Sequence, residues 1–345
     1  HKVSRSINSF PFISIHDNHA LIASICLLVT LCLIIYLTIG FVNIWVILIH
    51  LAIFWFITEF IFVYLKIPNP NFYYSDFIAI FLTIIYLIYA NFKASHVWVK
   101  RYQLTSNKLP GKLRIVLFSD SHIGNLFTGN ELLKYVHQMQ NENPDIVLIP
   151  GDFVDDDTKK SDLISACKAL SAFKPKYGVY FAFGNHDRGY FKYRGYDGDF
   201  IINELQRNGV KVLQDESELI DNRFYVIGRQ DRSEFVRSGV KRKTASELVE
   251  DLDKSKYIIC MNHQPNDYSN EVDANIDLVV SGHTHGGQFW PLIHLGEWIK
   301  ANDKTYGIEK RSNTTFIITS GIADWAVKFR TGCQSEYVVI DINGE

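Results

Sequence analysis

The stretch SGHTHGGQ, Ser281 to Gln288, sets two histidines, His283 and His285, one residue apart among glycines. A nearly unbroken apolar run, residues 276–280, leads into it, which predicts a buried strand ending in a loop. In extended chain, residues i and i+2 point the same way, whereas a glycine-bounded turn can splay them toward two adjacent points. Two imidazoles so placed suit a pair of metal ions, provided that other parts of the chain supply the remaining ligands. An isolated histidine would simply face water, so the reading depends on those partners.

Candidates stand at the ends of other apolar runs. Residues 113–119 are followed by DSH, with Asp120 and His122; residues 146–150 by GDFVD, with Asp152 and Asp155; residues 179–183 by GNHD, with Asn185, His186 and Asp187. His263, in NHQP, follows the run 257–261. Open α/β sheets assemble their sites from the loops beyond the carboxyl ends of strands, so these groups are placed to converge. Carboxylates, an amide oxygen and imidazoles, without thiolate, suit manganese, iron or zinc. A shared carboxylate can bridge two ions about 3.5–4 Å apart, the spacing that activates a water and clamps a phosphoryl group. Each motif alone has an ordinary explanation, since GD is common in turns and GNHD can cap a helix. Their joint occurrence in this order, each closing a predicted strand, points to the chemistry.

The elements that must position these residues follow from the same alternation. Further strands are predicted at 224–227, 316–319 and 337–342, and helices at 130–140, 162–173, 200–207 and 245–252. This is a layered α/β domain, occupying residues 100–345.

The first part of the chain is built differently. Of the 72 Asp, Glu, Lys and Arg residues, 66 lie beyond Phe92. Three apolar stretches, about 20–40, 44–65 and 73–92, each approach the length that spans a hydrocarbon core as a helix, so residues 1–99 are expected to form a membrane domain of about three transmembrane helices. The turn KIPNPN, Lys66 to Asn71, would separate the second span from the third. Tyr73, Tyr74, Trp98 and Tyr102 suit interfacial aromatic belts. His50 and Glu59, both in the second span, are costly in lipid unless they face protein or water, and nine residues set them about 180° apart on a helix. Between Phe77 and Ser119 there is no acidic residue, whereas Lys93, Lys100, Arg101, Lys108, Lys112 and Arg114 occur. That asymmetry predicts an integral membrane protein with its catalytic domain on the cytoplasmic side, in contact with membrane lipids. The five cysteines show no metal-type spacing and no disulfide framework.

The ordered motifs resemble those of the calcineurin-like metallophosphoesterases, whose pattern is DxH, GDxxD, GNHD, a lone histidine and GHxH. The resemblance covers about 114–342. GHTHGGQ with preceding spans, GRQDRS (Gly228 to Ser233) and RTGC (Arg330 to Cys333) look most like the membrane-attached YkuE/YaeI-type branch. The resemblance implies a two-sheet sandwich flanked by helices. It also implies one ion on Asp120, His122 and His285, a second on Asn185, His263 and His283, and Asp152 bridging them. The two ions are expected to be divalent, manganese first, with iron or zinc as alternatives.

The expected reaction is hydrolysis of a phosphate ester or phosphoanhydride by in-line attack of a hydroxide bridging the ions. His186 is placed to protonate the leaving oxygen or steady the phosphoryl group, and Asp155 to orient that histidine. Arg188 and Arg194, in the glycine- and tyrosine-rich segment 188–200, and Arg229 and Arg232 after another strand, are candidate substrate-binding cations. Attachment to a membrane favours a phosphorylated lipid or lipid-linked substrate. The alternatives are a phosphodiesterase for a soluble nucleotide-type substrate, or a non-catalytic membrane receptor on the same fold. Nucleic acid is not expected as a partner, because past Phe92 the 32 Lys and Arg face 34 Asp and Glu with no basic stripe.

Overall fold

The computed structural model describes residues 17–67, 74–189, 194–325 and 327–344. The chain divides into two compact units, residues 1–92 with 326–329, and 93–325 with 330–345, so the second opens at Lys93, ahead of residue 100.

The first unit is helical: α1 (Asp17–Ile39), α2 (Phe41–Tyr64) and α3 (Tyr74–Ser95), the last running into the second unit. Among the described residues only α2 and α3 are long and apolar enough to cross a membrane, which corrects the expected count of about three to two. In α1 the described apolar stretch is Ile22–Leu31. Tyr73 and residues 68–71 of the expected turn lie outside the described residues. Along α3, Ser75, Ala79 and Thr83 are buried at every fourth position, a small-residue face of the kind that lets membrane helices approach closely. Phe56, Phe60, Phe81 and Ile88 point outward, an arrangement suited to lipid. The polar residues of α2 are paired: the His50 ring donates from Nδ1 to the Val46 carbonyl at 2.7 Å, and Glu59 accepts the Ser75 hydroxyl at 2.7 Å.

The second unit holds two six-stranded mixed sheets. Their strands are β1 (Val97–Ser106), β2 (Lys112–Leu117), β3 (Ile146–Pro150), β4 (Val179–Ala182), β5 (Val210–Val212), β6 (Glu216–Ile220), β7 (Phe224–Gly228), β8 (Tyr257–Met261), β9 (Leu278–Ser281), β10 (Gly307–Arg311), β11 (Thr314–Ile318) and β12 (Ser335–Gly344). One sheet runs β1-β12-β2-β3-β4-β5, the other β10-β11-β9-β8-β7-β6. Trp98 and Tyr102, expected in interfacial belts, lie in β1, and Lys100, Arg101, Lys112 and Arg114 stand on β1 and β2. The basic run is therefore largely sheet: β1 is an edge strand, where alternate residues face water and tolerate charge, while Lys112 and Arg114 stand at the start of the interior strand β2.

Side-chain alternation builds the layers. Leu113, Ile115 and Leu117 of β2 meet Phe224, Val226, Ile259 and Val280 between the sheets. Val116, with Val147 and Phe181, faces the helices α4 (Gly129–Gln140), α5 (Lys160–Leu170) and α6 (Gly198–Arg207). On the far side, Ile258 and Cys260 face α8 (Ala245–Leu248) and α9 (Tyr268–Asp273), α7 (Ser233–Ser238) having intervened in the chain. Central strands buried on both faces explain the continuous apolar runs.

Candidate functional site

β2, β3 and β4 run parallel in one sheet, and β7, β8 and β9 in the other. Their carboxyl-end loops carry the candidate residues. Left-handed backbone recurs there: φ is 55° at Asp120, 36° at His122, 52° at Asp152, 71° at His283 and 47° at His285. Non-glycine residues adopt this region at a cost of about 1–3 kcal/mol each and hold it only when their surroundings enforce it. Five of the seven proposed ligands carry that cost, and the seven side chains form two groups, Asn185 joining the second, that meet at Asp152.

Asp120, His122 and His285 bring ligand atoms within 4.8 Å of one another, and so do Asp152, His263 and His283. Asp152 lies between the groups, its Oδ2 3.1 Å from His263 Nε2 and 3.7 Å from His122 Nε2. Asn185 Oδ1 completes the second group at 3.1 Å from His263 Nε2 and 2.8 Å from His283 Nδ1. Asp120, His122, Asp152, His263 and His285 are buried, whereas Asn185 and His283 are half-buried at the open side.

The donor set fits two divalent cations. His122 is fully buried, yet neither ring nitrogen makes a hydrogen bond, although Asp155 Oδ2 stands 3.2 Å from Nδ1. Buried polar atoms without partners are rare unless something absent from the chain satisfies them. Two of the other imidazoles, His263 and His285, are held from behind. His263 donates from Nδ1 to the Pro150 carbonyl at 2.7 Å, leaving Nε2 facing Asp152. His285 Nδ1 lies 3.2 Å from the Ala323 carbonyl and 3.3 Å from Asp324, leaving Nε2 toward Asp120. This is how proteins fix the tautomer of a ligating histidine.

Electrostatics follow from this crowding. Burial alone would raise the Asp152 carboxyl, but the charges of His263, His122 and His186 hold it well below the carboxylate range. Burial works to lower His263, and the Asp152 charge lifts it well above its ordinary value. His283, desolvated and beside His263, is pulled down to about 4. Two glycines make the close approach possible. A Cβ on Gly184 would sit 2.3 Å from Asp152 Oδ1, and one on Gly282 2.2 Å from Asp120 Oδ2.

His186 and Asp155 meet at the edge of the cluster, Nδ1 to Oδ1 at 2.9 Å. Burial would lower the imidazole, but the hydrogen bond and charge of Asp155, with Asp152, raise it to about 9. The Trp325 ring lies 5.9 Å from that of His186. Asp155 does more than the sequence indicated, since its second oxygen reaches His122.

The four candidate substrate cations are dispersed. Arg229 is buried and paired with Asp267 and with Glu271, the latter at 3.3 Å, so it serves as a structural cation. Arg188 bonds Gln214 and pairs with Glu234 at 3.3 Å over the Phe183 ring. Arg194 donates to the carbonyls of Asp155 and Asp187, bracing the GNHD loop. Only Arg232 is exposed without an ion pair among the described residues. Of the predicted rim, residues 190–193 lie outside the described residues.

Sequence reasoning missed Asp324 and Arg330. Arg330 is fully buried and grips Asp324 through Nε and Nη2 at 2.8 Å, behind His285. The RTGC stretch was a signal for Arg330; nothing marked Asp324.

Residues 113–287 match the family model described as calcineurin-like phosphoesterase. An uncharacterized metallophosphoesterase of Aquifex aeolicus is 29% identical over 77% of this chain and 99% of its own length. A transmembrane protein with metallophosphoesterase domain from Danio rerio is 30% identical over 68% of this chain and 54% of its own. Among solved structures, a dimetal phosphatase from Danio rerio superposes with a TM-score of 0.38 at 13% identity, covering 61% of this chain and 87% of that one. With half of its length matched by the family model, this chain belongs to the calcineurin-like phosphoesterases, metal-dependent hydrolases of phosphoric esters.

Proposed function

We propose that the protein is a membrane-anchored binuclear phosphoesterase or pyrophosphatase acting on a lipid or lipid-linked substrate. The observation that carries the hydrolytic reading is the convergence of seven side chains from both sheets, with Asp152 between two groups of ligand atoms. Asp120, His122 and His285 would hold one divalent ion, Asn185, His263 and His283 the other, with Asp152 shared; manganese suits this oxygen-and-imidazole set. Such ions supply a nucleophilic water at neutral pH and neutralise charge on the phosphoryl oxygens, an effect worth several kcal/mol. His186 then protonates the leaving oxygen, while Asp155 fixes the ring through Nδ1 and leaves Nε2 to face the ester.

Two features support an amphiphilic substrate. α2 and α3 fit membrane association. The segment following His285 in the chain also exposes Trp290, Leu292, Leu295, Trp298 and Ile299, an apolar surface a soluble diester would not need. The preceding helices and the GHTHGGQ form favour the YkuE/YaeI-type branch, and the acid-free, lysine- and arginine-rich stretch between Phe77 and Ser119 supports a catalytic unit facing the cytoplasm.

Purified full-length protein is expected to release nitrophenol from bis-p-nitrophenyl phosphate when manganese is present and to stop when a chelator is added. Absence of turnover with manganese, iron and zinc alike would leave a binding protein instead. Mass spectrometry of a membrane extract before and after addition of enzyme identifies the substrate. Loss of soluble nucleotides with every lipid intact would overturn the lipid assignment.

A further inference from the structure

We propose that the segment from Arg232 to Lys243 is a docking surface for anionic phospholipid headgroups at a bilayer. It shares with the reading above only the setting of a membrane-associated enzyme and lies outside the hydrolytic machinery. The segment leaves β7 at Gly228, and β7, β8 and β9 are parallel, so it emerges at the same end of the sheet as His263 and His283.

Its sequence, RSEFVRSGVKRK, carries five cations and one acid. The acid, Glu234, is buried and engaged by Arg188 and Arg237, so its charge does not reach the surface. Arg242 turns inward, 3.3 Å from Asn262 Oδ1. Arg232 and Lys241 are exposed and make no ion pair or hydrogen bond among the described residues. Between these cations stand three large apolar side chains, Phe235 58% exposed, Val236 86% and Val240 56%. A surface cavity of about 390 Å³ opens between Arg232, Phe235, Val236 and Lys241, room for a phosphate headgroup.

Scattered exposed apolar residues need no explanation, but a cluster of three flanked by two exposed cations, Arg232 and Lys241, does, with Glu247 the acid nearest to Lys241. Aliphatic Val236 and Val240 add nothing to the binding of a polyanion such as nucleic acid, whose bases stack on aromatic rings. Beside a bilayer they bury in the headgroup and acyl boundary while the cations meet the anionic surface. Each cation near such a surface is worth about fivefold in affinity, an effect that fades beyond a Debye length of roughly 10 Å. Docking in this way turns the end of the sheet that bears the metal cluster toward the lipid headgroups.

The test is amide hydrogen exchange of the full chain in nanodiscs of phosphatidylcholine alone or mixed with phosphatidylglycerol. Exchange across 232–243 is expected to slow several-fold in the anionic discs and to recover in high salt. Phe235→Ser with Lys241→Glu is expected to lose that slowing with an unchanged melting temperature. Equal exchange in both discs, or slowing only by an oligonucleotide, would overturn the proposal. Vesicles of the same two compositions give the same readout for a chain that does not enter discs, and the readout does not involve turnover, so failure of the spanning or the hydrolytic reading stays separate from failure of docking.

Discussion

The carboxylate of Asp187 accepts the backbone N–H of Asp152 at 2.8 Å, so the last residue of GNHD sets the place of the aspartate in GDFVD. The same carboxylate accepts from Phe153 at 2.7 Å, Val154 at 3.1 Å and Gly184 at 2.7 Å. One buried side chain thus ties together the loops after β3 and β4. In Asp187→Asn the amide NH2 would replace one of the two oxygens and face two of these donors, and each donor stranded in the interior costs about 1–3 kcal/mol. Stability is expected to fall by about 3 kcal/mol in thermal melts, with loss of bound metal by elemental analysis. An asparagine variant that melts like the parent would show the contact to be dispensable.

The strands legible in the sequence and those it concealed differ by position in the sheets. All eight predicted strands are interior, among them β2, β3, β4, β7, β8 and β9, whose runs are apolar because both faces are covered. The four that escaped notice, β1, β5, β6 and β10, are the four sheet edges. GIEKR and ESELI carry charge on their exposed faces and so lose the apolar run that marks a strand. The ligands were readable because each directly closes an interior strand. Asp324 was not, since its value comes from a contact with His285 that no local spacing encodes.

That contact yields a second prediction. Asp324 and Arg330 form a fully buried ion pair whose carboxylate also steadies the His285 ring. Removing one partner of such a pair leaves an uncompensated charge, which costs about 3–5 kcal/mol. Asp324→Ala is therefore expected to lower stability by that amount and to weaken metal binding. Metal titration with retained affinity in a folded variant would show that His285 holds its orientation unaided.

A third concerns pH. Glu271 is fully buried, and burial pushes its carboxyl up to about 7 although Arg229 and Asn262 pull the other way. Its folded value lies above the ordinary 4.5, so the folded state binds the proton more tightly. The associated stability is present in full below pH 4.5 and is lost as pH rises through 7, a change on the order of 3 kcal/mol. Between pH 5 and 8 the parent is expected to lose more melting temperature than Glu271→Gln. Parallel pH profiles would mean that Glu271 stays ionised against Arg229 throughout.

The last prediction separates a proton donor from a structural residue at His186. Loss of a positioned general acid costs about 10²–10⁴ in rate, and the cost grows with the basicity of the leaving oxygen. His186→Ala is expected to keep its metal and to lose turnover in that range on an alkyl phosphate ester. With a nitrophenyl ester, whose leaving group needs little protonation, the loss should shrink. Asp155→Asn should behave differently, because Asp155 touches both His186 and His122, at 2.9 Å and 3.2 Å, and its variant is expected to lose metal together with rate. Equal losses for both esters in His186→Ala would assign the ring to steadying the phosphoryl group, because charge stabilisation there does not depend on which oxygen leaves.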